Sequence, residues 1–213
     1  MQQLVNAASG EIVLALAQIV IENRAYLSEI DGKIGDGDHG VNMAKGFGLA
    51  ADRIKGHTLT LAEAFDTLGT VLMTEIGGSM GPLYGVMFTN FAEVIDKAEA
   101  IDASAFGAML RKGIEGIQSI GSAEVGDKTL LDTLVPAVDA FEAACAARRP
   151  FSEALDQLCA AAEAGRDSTK DMVAKIGRAS RLGERSRGVL DAGATSCALI
   201  LTTLAHNVQR RLQ

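Results

Sequence analysis

Apolar residues recur at intervals of three and four along nearly the whole chain. Nowhere do they sustain the period of two that a half-buried strand requires. Val13, Leu14, Ala17, Val20 and Ile21 make the first such face. A second starts near Gly40 and runs through Met43, Phe47 and Leu49 to about Ile54. Thr60 followed by Glu63 reads as a capping box that opens a third helix, since hydroxyl and carboxylate each satisfy a free backbone N–H. A fourth is expected near Gly81, with Pro82 in its first turn, where a missing N–H is tolerated. It carries Leu83, Val86, Met87, Val94 and Ile95. Further helical patterns cover about Ser104–Ile117, Leu130–Ala147, Ser152–Lys175 and Ala192–Leu212, with Pro136 in the first turns of its helix or kinking it. The expected fold is all-α: a single-domain, antiparallel, eight-helix up-and-down bundle spanning residues 1–213. Short connections favour antiparallel neighbours.

A chain of 213 residues buries a large core without staples. Aromatics make up only 4% of it, so Ala, Leu and Ile fill that core and the helices pack closely. The net charge of −7 argues against nucleic acid as the main partner, because a phosphate backbone demands a basic face. A small phosphate ligand stays open, since a bound metal reverses the local sign. Cys145, Cys159 and Cys197 stand singly in apolar runs, which reads as buried thiols in a reducing compartment. The N-terminal Met1-Gln2-Gln3-Leu4 lacks a basic n-region, and Ile12–Ile21 is too short to span a bilayer. A soluble, cytoplasmic protein is the expectation.

Four connections are rich in glycine and polar groups: Asp31–Gly40, Gly77–Gly85, Gly121–Thr129 and Gly177–Gly193. In an up-and-down bundle alternate connections fall at the same end. These follow the first, third, fifth and seventh expected helices, so all four should converge at one end.

The first, Asp31-Gly-Lys-Ile-Gly-Asp-Gly-Asp-His-Gly40, sets three carboxylates within eight residues. Unpaired, they repel one another. A hard divalent cation removes that penalty, and oxygen-only ligands suit magnesium, calcium or manganese. Asp31, Asp36 and Asp38 are therefore the candidate metal ligands, with a solvated acidic turn as the plain alternative. Gly35, Gly37 and Gly40 spell G-x-G-x-x-G, but no strand precedes them and Asp36 and Asp38 would repel a bare pyrophosphate. An EF-hand fails too, because its twelfth position is Asn42 or Phe47 rather than Glu. His39 is free to cap the next helix or meet phosphate, and Gly40–Asn42 offer backbone donors at a helix start.

Gly77–Gly85 feeds a helix N-terminus with glycine-rich sequence, as phosphate cradles do, or simply lets helices pack closely. Gly121–Thr129 is not a Walker A loop, since Asp127 interrupts the required G-K-T and no strand leads in. Lys128 and Thr129 either meet a nucleotide or merely begin a helix. Gly177–Gly188 carries Arg178, Arg181, Arg185 and Arg187, the only concentrated positive charge. Arginines near an acidic metal site are best explained by a phosphate between them.

The strings IGDGDHGVNMAKGF, GGSMGPLYG, AEVGDKTLLD and GRASRLGERSRGVLDAGATS together resemble the L subunit of dihydroxyacetone kinase, the DhaL family, in the family's order and over nearly the whole chain. That resemblance implies an eight-helix antiparallel barrel with ADP or ATP at one end and two magnesium ions on Asp31, Asp36 and Asp38. It implies nucleotide contacts at His39, Gly40, Val41, Asn42, Gly78, Ser79, Met80, Gly121, Thr129 or Leu130, Arg178, Asp191, Ala192 and Gly193. It further implies a phosphotransfer subunit whose nucleotide is recharged by a phosphotransferase-system phosphocarrier, the M-type subunit, and passes phosphate to a ketose on a sugar-binding K subunit. Many members have serine where this chain has Met80, whose side chain supplies no hydroxyl. Two alternatives stay open: a kinase subunit for another small sugar such as erythrulose, or a nucleotide-dependent module that binds a transcription regulator.

Overall fold

The computed structural model describes residues 2–213. It contains nine α-helices among the described residues: α1 (Glu11–Glu22), α2 (Arg24–Ile34), α3 (His39–Ile54), α4 (Leu61–Glu75), α5 (Met80–Ile95), α6 (Ala103–Ile120), α7 (Leu131–Ala146), α8 (Phe151–Ser168) and α9 (Ala192–Gln209). Neighbours in the chain pack side by side from α3 to α9, and α1 closes the ring by packing on both α3 and α9. The all-α expectation holds. The helix count differs by one, because α1 and α2 occupy the place of a single rod. The chain bends at Asn23, and α2 then continues along the same two neighbours, α3 and α9.

α2 escapes a periodicity reading because only Leu27, Ile30 and Ile34 of its eleven residues are buried. Its last turn includes Asp31, so the acidic stretch is half helix and half loop. Two other boundaries also shift. α8 stops at Ser168 rather than near Lys175, giving way to a 3-10 turn at Thr169–Asp171. The arginine-rich connection folds into two 3-10 turns across a kink at Gly183, spanning Arg178–Ser186.

One contiguous core fills the ring. Phe47, Phe65, Phe88 and Phe91 stack at its centre, and Phe106, Phe141 and Phe151 form a second aromatic group. The end away from the four glycine-rich connections is tied shut by a short antiparallel pair, β1 (Gln3–Val5) with β2 (Ala100–Asp102). Buried Asn6 reinforces it by donating to the carbonyls of Ile95 and Ala98 and accepting from the Leu61 N–H. No helix among the described residues is long and apolar enough to cross a membrane. The three cysteines are free, and only Cys197 is fully buried.

The capping box forms as expected: Thr60 Oγ1 accepts from Glu63 N, and the Glu63 carboxylate accepts from Thr60 N. Loss of an N-cap costs about 1 kcal/mol. Thr60→Ala should therefore lower the melting temperature by about 2–4 °C in a chain of this size, as read by calorimetry.

Candidate functional site

The connections after α2, α4, α6 and α8 meet at one end of the ring and line a cleft of about 860 Å³. Each runs straight into the next helix, so the N-termini of α3, α5, α7 and α9 all open on this space. Their caps, Asp38, Ser79, Leu130 and Asp191, all line it. Only Asp191 closes its own helix, accepting from Ala194 N at 2.7 Å; the other three make no side-chain capping bond. Four positive dipole ends, three of them without a side-chain cap, favour an anion in this space.

The acidic stretch lines the same cleft, gathered at the start of α3. Asp31 Oδ2 accepts from the His39 N–H at 3.2 Å, and Asp36 Oδ1 accepts from the Asp38 N–H at 3.4 Å. Gly35 permits this packing, since a Cβ there would drive into the Asp31 carboxylate. Asp36 also forms an ion pair with Arg178, which reaches across from the α8–α9 connection. Among the described residues no three His, Cys, Asp or Glu side chains stand assembled as a metal cluster. The donor set nevertheless fits a hard cation: three carboxylates on a short, glycine-flexed stretch, with Asp36 already meeting a positive charge in the form of a guanidinium.

Of the sequence-derived nucleotide contacts, His39, Asn42, Gly78, Ser79, Met80, Gly121, Thr129, Leu130, Arg178, Asp191, Ala192 and Gly193 line the cleft. Gly40 and Val41 do not. Gly40 is buried against α2, and Val41 points outward at 41% exposure. Of the four arginines only Arg178 lines the cleft; Arg187 turns back to Glu184 and the Asp171 carbonyl. Met80 packs against the core's edge, and with Leu83, Ile117, Leu130 and Ile176 it gives the cleft an apolar wall. A flat base would find its non-polar surface there. The Ser79 hydroxyl beside it makes no hydrogen bond within the described chain, so it is free to serve a ligand.

Several contributors are not evident in the sequence. His39 Nε2 meets Ser196 Oγ at 2.9 Å, Ser196 Oγ meets Tyr84 OH at 2.8 Å, and Tyr84 donates to the Gly193 carbonyl at 3.1 Å. This chain ties α3, α5 and α9 together beneath the cleft. Burial pulls the His39 imidazole down to about pKa 4, so it is neutral at physiological pH. Asp132, 1% exposed, accepts from Gly126 N at 2.5 Å and Thr129 N at 2.7 Å, which folds the α6–α7 connection. An acid three residues after a threonine at a helix start is the one sequence signal that could have found it.

Burial pushes the Asp191 carboxyl up to about pKa 6, opposed by the Ala194 N–H and by Lys128. The folded chain therefore binds this proton more tightly than the unfolded chain between about pH 4 and 6. The stability it contributes is present at low pH and is lost as pH rises through 6. Asp191→Asn keeps a capping oxygen without the charge. Its stability relative to the parent should rise between pH 4 and 7 by up to about 3 kcal/mol, measured by urea unfolding at each pH.

The DAK2 domain family matches residues 33–206. The ADP-binding subunit DhaL of PEP-dependent dihydroxyacetone kinase 1 from Listeria innocua is 40% identical over 182 residues, 85% of this chain and 86% of that one. The Escherichia coli ADP-binding subunit DhaL is 35% identical over 181 residues, again 86% of its length. The L-erythrulose kinase of Pectobacterium atrosepticum is 33% identical over 90% of this chain, but this chain spans only 33% of that enzyme. In structure, the dihydroxyacetone kinase from C. freundii in complex with AMP-PNP and Mg2+ superposes over 92% of this chain with a TM-score of 0.69 and 26% identity; this chain spans a third of it.

Proposed function

The chain belongs to the DAK2 domain family, and from that premise we propose that it is the ADP-binding phosphotransfer subunit of a dihydroxyacetone kinase. One observation carries this function: the N-termini of α5, α7 and α9 and Arg178 share a single cleft with three aspartates gathered at the start of α3. Donors for phosphate oxygens and acceptors for a cation stand in one space, which is what a metal-nucleotide needs. A phosphate alone would meet the acids, and a cation alone would meet the helix dipoles.

Asp31, Asp36 and Asp38 hold magnesium, two ions in this proposal. When bound, magnesium neutralises and aligns the phosphate oxygens. Arg178 leaves Asp36 for phosphate, and Ser79, Asn42 and the free amide at the start of α5 complete the cradle. His39, neutral and fixed by Ser196, donates or accepts at the phosphate without adding charge. The apolar wall of Met80, Leu83 and Ile176 takes the base, so a side chain without a hydroxyl at position 80 has a use here. Residues 1–213 form one nucleotide-binding domain, consistent with the single contiguous core.

Phosphate passes from a phosphotransferase-system carrier to bound ADP, and onward to a ketose held on a sugar-binding K subunit. Relatives named as PEP- or PTS-dependent ADP-binding subunits support this reading. Cytoplasmic residence is part of the same proposal. A second substrate has support in the 33% identity to an L-erythrulose kinase. The experiment that tests the function is a reconstitution: this chain, a K subunit and a phosphorylated carrier, offered dihydroxyacetone or erythrulose. Sugar phosphate should appear only when this chain and ADP are both present. Transfer at the same rate without this chain would overturn the function, and a preference for erythrulose would select the second substrate.

A further inference from the structure

Lys128 is 2% exposed, buried more deeply than any other charged residue except Asp132. Its backbone lies in the left-handed region at φ 65°, which side-chain-bearing residues rarely adopt. That conformation turns the side chain inward, behind the cleft wall. The ammonium donates to three backbone carbonyls: Ser186 at 2.5 Å, Val189 at 2.7 Å and Met172 at 3.2 Å. An ammonium has three N–H donors and no acceptor, so these three carbonyls use all of them. Nothing remains for a phosphate, although the residue borders the cleft.

The positions of those carbonyls matter more than their number. Met172 stands where the segment between α8 and α9 begins, and Ser186 and Val189 stand where it ends. Arg178 lies between them. The same pinch is drawn tighter by Ala174 N donating to Ser186 Oγ at 2.9 Å and by Lys175 N donating to the Asp127 carbonyl at 3.1 Å. Within the pinch, the two 3-10 turns have few anchors of their own. Left-handed glycines stand at 177, 183 and 188, and only Ser186 is buried. The segment is therefore held at its two ends, and between them by packing on α2 and by the Arg178–Asp36 ion pair. Burial lowers the lysine's pKa, while Asp191 nearby opposes the shift. Three acceptor carbonyls are satisfied only by the charged ammonium.

We propose that Lys128 is a positioning residue for nucleotide binding: it clamps the two ends of the 172–189 segment and thereby holds Arg178 opposite the acidic stretch, without touching the nucleotide. This rests on the role of Arg178 as a phosphate ligand given above. A lysine that acts through Arg178 makes a different forecast from one that meets phosphate itself, because residues acting as one unit are non-additive.

The test is a double-mutant cycle on the full chain, with ADP affinity measured by calorimetry in excess magnesium. Lys128→Met and Arg178→Ala should each weaken binding by about tenfold or more, while the double variant should lie within about twofold of Arg178→Ala alone. Lys128→Arg should restore most of the affinity. Trypsin cleavage after Arg178, Arg181 and Arg185 should speed up in ligand-free Lys128→Met while helicity stays unchanged. Additive losses would overturn the proposal in favour of direct contact, and unchanged affinity in Lys128→Met would overturn it outright. Unchanged affinity in Arg178→Ala would instead remove the phosphate role of Arg178, and the proposal with it. If Lys128→Met does not fold, Ser186→Ala loosens the same pinch. Non-additivity with Arg178→Ala then supports the clamp, and additivity overturns it.

Discussion

Asp38→Asn is expected to abolish magnesium-dependent ADP binding and phosphate transfer while leaving the fold intact. Among the described residues no hydrogen bond or ion pair reaches the Asp38 carboxylate; it caps α3 by position but not by its side chain. It is exposed, beside two other acids, and its removal relieves repulsion instead of breaking a contact. A side chain with no structural partner and an unfavourable charge has its use in a ligand. Loss of one of three anionic metal ligands should weaken ADP by at least about a hundredfold in the presence of magnesium. The melting temperature should hold or rise slightly. Asp36→Asn should lose binding as well, with one difference. It also frees Arg178, so weak magnesium-independent ADP binding should persist through the arginine. Calorimetry with and without chelator separates the two variants. Normal ADP affinity in either would contradict the metal assignment.

Gly40→Ala is expected to have the second largest effect, and a different one. Gly40 sits at the second residue of α3, where α3 crosses α2 at close range. A Cβ there would drive into the Arg24 carbonyl oxygen and come within 2.7 Å of both Ser28 N and Ser28 Oγ. These are largely backbone atoms of a packed helix, which cannot swing aside. Overpacking of this kind costs about 3 kcal/mol. In a chain of this size the melting temperature should fall by about 6–12 °C, measured by calorimetry without ligand. ADP binding should weaken only as far as the displaced acidic stretch is misplaced. A stability loss under about 1 kcal/mol would show that α2 and α3 separate easily, which would undo the account of how the acids are held.

Gly40 also shows what could be read from the sequence and what could not. The glycine-rich run was legible as a site because glycine clusters at connections are conspicuous. The cause at position 40 was not: a glycine beside a phosphate and a glycine under a helix crossing look alike in one dimension. The same limit hid α2. Its buried stripe is three residues wide, and Asp31 and Gly32 within it carry the signature of a loop. Yet the four connections converged as expected, because α1 and α2 form one bent rod and the alternation of ends survives. Asp31, Asp36, Asp38 and Arg178 were legible as cleft residues because their charge stands out in glycine-rich turns; Ser79 and Asp191 came with the family resemblance. Lys128, Tyr84 and Ser196 were not legible in these roles, because each acts through a partner between 44 and 157 residues away, and only the fold brings them together. In the sequence Met80 is only a missing hydroxyl; in the cleft its side chain joins an apolar wall.

The central claim is that this cleft holds a magnesium-nucleotide through Asp31, Asp36 and Asp38. Native mass spectrometry of the freshly purified chain tests it most directly. One bound ADP with two magnesium ions is expected, with the metals lost on chelation and the nucleotide following them. A chain that carries no metal-dependent nucleotide, even after incubation with excess ADP and magnesium, would contradict it.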